Sequence, residues 1–181
     1  MKLWMKACLS LAVLACWLSP VVRAEDNPFK KAEVGDWVSY KMTTEMPNVP
    51  AGGMNMETKQ TVTAKTEKEV TMKVETLMNG NSMGAQEVKI PLDQPYDATK
   101  TTQGTTEKTG EGEESVTVGG KTYACKWITF KSHTETNGMK IDSDSKVWVS
   151  TGVPLGGMVK TDTSTSMNIK VHMELSGAGK K

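Results

Sequence analysis

Apolar and polar residues alternate with a period of two through most of this chain. Met167, Ile169, Val171, Met173 and Leu175 are separated by Asn168, Lys170, His172 and Glu174. Val70, Met72 and Val74 alternate with Glu69, Thr71, Lys73 and Glu75, and Val38, Tyr40 and Met42 alternate with Ser39 and Lys41. Successive side chains of a strand point to opposite faces, so this pattern predicts strands with one buried and one wetted face. No stretch beyond the first two dozen residues carries an apolar stripe of helical period. The chain is restricted to sheet folds.

Turn residues divide these runs. Asn79-Gly80-Asn81, Gly119-Gly120 and Asn137-Gly138 each sit between alternating segments, and Asn-Gly is a strong signal for a tight hairpin. Pro47–Gly53 and Gly152–Gly157 separate two more pairs. The expected fold class is all-β: an antiparallel meander of about eight or nine strands, forming a strongly curved sheet or incomplete barrel after an N-terminal signal helix. Residues 121–131 are apolar on both faces, through Tyr123, Cys125 and Trp127 on one and Ile128 and Phe130 on the other. That pattern marks them as the central strand. Residues 97–114 hold Ala98 as their one apolar side chain and read as a flexible loop or loose hairpin inside a single domain of residues 25–181.

Residues 1–24 have the layout of a secretory signal peptide. Lys2 and Lys6 precede an apolar stretch, Pro20 breaks it, and Val22-Arg23-Ala24 forms a cleavage site. The apolar run is too short to span a bilayer, so no transmembrane span is expected in the mature chain. The expected location is periplasmic or secreted. The alternative is a membrane-anchored lipoprotein, because Val13-Leu14-Ala15-Cys16 approximates a lipidation motif with Cys16 as the modified residue. Against it, the apolar run continues past Cys16 to Val22.

Losing Lys2, Lys6 and Arg23 moves the formal net charge of +1 to the acidic side. With no basic block, nothing points to nucleic acid. Cys125 is the single cysteine beyond the signal, so the domain is held by its core and not by an internal disulfide.

Chemistry-bearing patterns are sparse. There is no Gly-x-Ser-x-Gly, and the two histidines, His133 and His172, stand alone among polar strand residues. A triad cannot be read from them, and no enzymatic activity and no catalytic residue is expected. Asp142-Ser143-Asp144 lacks the glycine and distal glutamate of a calcium loop, so no metal site is assigned. No cofactor motif is present.

Methionine is abundant, with 13 in the chain. Three readings stay open: core filling, an adaptable apolar cavity, and a thioether copper site around Met46, Met54 and Met56.

Gly35-Asp36-Trp37-Val38-Ser39-Tyr40, Gly120-Lys121-Thr122-Tyr123-Ala124-Cys125 and Val147-Trp148-Val149-Ser150 leading to Val153–Lys160 form a series of short motifs. In these the chain resembles exported bacterial proteins of the lipoprotein-carrier (LolA/LolB-like) half-barrel group. The resemblance implies a curved sheet that holds acyl chains, although this chain has no evident lid helix. It transfers no functional residue.

The expectation is therefore an exported, non-enzymatic binding protein with an apolar concavity for a lipid, acyl chain or lipoprotein. Its candidate lining is Val38, Tyr40, Met42, Val70, Met72, Val74, Ile169, Val171 and Met173, which alternation places on one face. The alternative is a structural or protein-interaction component of the envelope with a packed core and no ligand. Oligomeric state cannot be read from the sequence.

Overall fold

A computed structural model describes residues 27–47, 53–94, 104–136 and 139–180. The signal segment and Cys16 lie outside the described residues. A short 3₁₀ turn, Pro28–Lys31, precedes nine strands: β1 Trp37–Glu45, β2 Met54–Lys65, β3 Glu69–Met78, β4 Asn81–Pro91, β5 Gly104–Val118, β6 Lys121–Thr136, β7 Met139–Val149, β8 Met158–Thr165 and β9 Lys170–Gly179. All lie in one antiparallel sheet of order β4-β3-β2-β1-β9-β8-β7-β6-β5. The first four strands step outward to one edge. The chain then reappears at the opposite edge and steps inward, until β9 pairs with β1 in the middle. The fold is the expected meander, left open between β4 and β5.

Tight turns and bulges shape the sheet. Asn79 and Gly80 have φ of 50° and 81°, and Gly119 and Gly120 have 56° and 75°. Two successive positive φ values make a turn whose twist matches that of the strands it joins. Register shifts occur at Ser39/Tyr40, Val62/Ala64, Glu75/Leu77, Lys108/Gly110 and Trp148/Val149. Each extra residue bends its strand and adds twist. The shift at Val62/Ala64 also explains why Val62 is buried and Ala64 exposed.

Most of the core lies on one face of the sheet, with Trp148 and Cys125 buried on the other. Met78, Met56, Met42 and Met173 are successive cross-strand partners on β3, β2, β1 and β9. Met42, Met56, Met72, Met158 and Met173 are all buried. Phe29 from the 3₁₀ turn, Ala32 just after it, and Val153 and Leu155 from the β7–β8 loop belong to the same cluster. Tyr40 Oη donates to the Met158 carbonyl at 3.5 Å.

Two expectations need correcting. Residues 121–131 belong to β6, which is second from an edge, and β9 is central. β6 is apolar on both faces for another reason. Phe130 joins the core, whereas Trp127 lies against the edge strand β5, where a Cβ on Gly112 would come within 2.6 Å of its ring. Residues 104–114 are part of β5 and pair with β6, not a flexible loop. An edge strand can be polar on both faces, and its threonines favour extended backbone. The remainder of that expected loop, 97–103, lies outside the described residues. So does the Asn137-Gly138 turn.

Candidate functional site

Seven of the nine candidate lining residues, Val38, Tyr40, Met42, Val70, Met72, Val171 and Met173, belong to one buried cluster, and Ile169 packs against it. Val38, Val70 and Met72 are 0 % exposed, Met173 1 %, Tyr40 2 %, Met42 3 % and Val171 8 %. Val74 is half-buried, and Ile169 is half-buried just before β9. Of the nine, only Val171 lines the groove found on the sheet.

That groove, about 680 Å³, is on the opposite, polar face. Register explains it. Thr43, His172, Asp162, Lys146 and Thr129 are successive cross-strand partners on β1, β9, β8, β7 and β6. Two residues along each strand, Glu45, Lys170, Ser164 and Asp144 form a second row. The rows are two walls. The intervening residues Val171, Thr163, Ser145 and Phe130 direct their side chains to the other face and leave their backbone as the floor. Thr109, extruded by the β5 bulge, donates to Thr129 Oγ1 at 3.0 Å and completes one end.

Asp162, Asp144 and Lys146 of the walls are paired. Asp162 Oδ1 lies 2.5 Å from His172 Nδ1, and Asp162 Oδ2 lies 3.0 Å from Lys160 Nζ. Asp144 faces Lys131 at 3.9 Å. Lys146 donates to Glu114 at 2.8 Å, and its ammonium sits 4.5 Å from the ring centroids of both Trp127 and Trp148. Trp148 Nε1 also donates to Glu114 Oε1. The two donors, Lys146 first and then Trp148, hold the Glu114 carboxyl below the ordinary carboxylate range.

The groove brings a histidine, a carboxylate and hydroxyls together, which sequence could not show. The arrangement is not that of a nucleophile and its base. With Nδ1 of His172 on Asp162, Nε2 faces Glu174 Oε2 at 3.7 Å, where a triad would place the nucleophilic hydroxyl. His133 makes a similar cross-strand pair with Asp142 at 2.7 Å. Among the described residues no group of three or more His, Cys, Asp or Glu could hold a metal ion, and no helix is long and apolar enough to cross a membrane. Cys125 is buried and free, and burial pushes its thiol pKa up.

No family model and no curated protein matches the chain. Solved structures do. A protein of Bacteroides fragilis described as exported and as having a YmcC-like fold superposes with a TM-score of 0.56 at 10 % identity, over 82 % of this chain and 97 % of that one. A protein of Parabacteroides distasonis described as a lipoprotein gives 0.46 at 12 % identity, over 81 % and 96 %. At such identity the first likeness speaks for the fold alone. The lipoprotein-carrier resemblance rests on the short motifs alone.

Proposed function

We propose that this chain is an exported, non-enzymatic binding protein of the cell envelope, whose apolar face holds the fold and whose polar face meets the partner. The observation that carries this reading is the burial of Val38, Tyr40, Met42, Val70, Met72 and Met173 against one another. A cavity wall would keep such side chains open to a ligand. Export is supported by the signal layout of residues 1–24 and by the exported description of the Bacteroides fragilis protein.

A second reading, carriage of a lipid, acyl chain or lipoprotein, draws support from the methionine row. Unbranched thioether side chains repack readily around variable apolar partners. It requires the core to open. Organic extraction of the protein purified from its envelope fraction separates the two. The first reading expects no stoichiometric acyl lipid, and one lipid per chain would overturn it. Intact-mass measurement of the same material checks export: a chain starting at Glu25 is expected, and a diacylglyceryl group on a chain starting at Cys16 would show lipoprotein processing instead.

A further inference from the structure

We propose that the groove on the polar face binds a neutral, polyhydroxylated chain, a segment of glycan; this rests on the reading that the polar face meets the partner. Three features of the groove carry the proposal.

The first is its direction. It crosses β1, β9, β8, β7 and β6 at right angles to the strands, between side-chain rows two residues apart. Strand and pleat spacings make it roughly 19 Å long and roughly 7 Å between rows. An extended peptide docks along a sheet edge by pairing its backbone with free backbone groups. Here the floor strands pair on both sides, so recognition falls to side chains.

The second is the chemistry of the walls. Thr129 and Ser164 offer hydroxyls that can donate and accept, and Thr43 and Thr109, which donate to Asn55 Oδ1 and Thr129 Oγ1, offer their oxygens as acceptors. Asp162, Asp144 and Lys146 add charged groups, which make the stronger hydrogen bonds to neutral hydroxyls, and the His172 imidazole adds a ring nitrogen. Threonine methyls and lysine stems supply apolar surface for the C–H faces of sugar rings. Most of the lining surface is apolar and the polar groups stand on the walls, which suits an occupant that presents hydroxyls and C–H faces together better than a bare acyl chain.

The third is charge compensation. Asp162 is matched by Lys160, Asp144 by Lys131 and Lys146 by Glu114, and the remaining wall charges, Glu45 and Lys170, are cross-strand partners of opposite sign. Such a site has no surplus charge with which to attract a polyanion or a polycation.

The test is NMR titration of the ¹⁵N-labelled exported protein with cellotetraose, maltotetraose and chitotetraose, and with a heparin-derived tetrasaccharide as a charged comparison. At least one neutral tetramer is expected to shift amides of both walls saturably, with the charged one weaker. Thr43→Val and Thr129→Val should each weaken binding about two- to tenfold, the loss of a neutral hydrogen bond. Each also removes one exposed hydrogen bond, Thr43 to Asn55 or Thr109 to Thr129, so their melting temperatures should fall by no more than about 2–4 °C, and Thr117→Val, outside the groove, should bind as the parent does. The proposal is overturned if no neutral tetramer shifts groove amides, if the charged one binds more tightly, or if the double variant Thr43→Val/Thr129→Val binds undiminished. Stoichiometric acyl lipid on extraction would overturn the underlying reading; lipid-free protein that ignores every tetramer overturns the glycan proposal alone.

Discussion

Trp148 and Glu114 stand 34 residues apart in sequence and are joined by a hydrogen bond from the indole Nε1 to the carboxylate Oε1. Glu114 is on the edge strand β5 and Trp148 on β7, with β6 between them. The carboxylate reaches across one strand to hold both Trp148 and Lys146. Lys146 in turn covers the rings of Trp127 and Trp148. This cluster secures the edge strand and one end of the groove.

That cluster predicts an acid transition. Hydrogen bonds from Lys146 and then Trp148 hold the Glu114 carboxyl below the ordinary carboxylate range. A depressed folded-state pKa contributes stability above the unfolded value, and the contribution is lost as pH falls through the folded one. Tryptophan fluorescence should therefore be flat above about pH 4.5 and change below it. In Glu114→Gln the change should be reduced, and an equally large transition in that variant would contradict the account.

Gly112 lies under Trp127, and Gly177 lies under Trp37 on the central strand. An added Cβ at Gly112 would fall 2.6 Å from the Trp127 ring. Gly112→Ala should destabilise the protein by about 1–3 kcal/mol through overpacking. At Gly120 a Cβ meets nothing within 4 Å, although the positive φ of 75° makes alanine strained there too. In urea unfolding with Gly112→Ala, an unchanged midpoint would show that Trp127 moves aside freely.

Cys125 is 4 % exposed, and its Sγ donates to the Tyr123 carbonyl at 3.5 Å. Burial raises its pKa and so lowers the thiolate fraction available for reaction. Iodoacetamide should label the native protein far more slowly than the urea-unfolded chain. Equal rates in both states would place this thiol in solvent.

The sheet was legible in the sequence because one face is apolar, and the two-residue turns at Asn79-Gly80 and Gly119-Gly120 announce themselves by residue type. Strand order was not. The pairing of β9 with β1 joins segments far apart in the chain, and it alone makes Thr43 a neighbour of His172. The groove was hidden for the same reason: its walls are polar residues that, strand by strand, look like solvated surface. Hairpin pairing of β7, β8 and β9 would have aligned Lys146, Asp162 and His172, the one available signal. β6 misled because Trp127 is covered by β5, whose own polarity concealed a strand.

The central claim is that the apolar face is a packed core and not a ligand cavity, and Met72→Ala tests it most directly. Met72 is 0 % exposed. Its truncation should cost about 2–5 kcal/mol in urea unfolding, the range for large-to-small core substitutions. A fluorescent fatty-acid probe should bind neither the parent nor the variant stoichiometrically. A stability loss well under that range, together with saturable uptake of the probe by the parent that the variant loses, would contradict the account and make Met72 part of a lipid-binding wall.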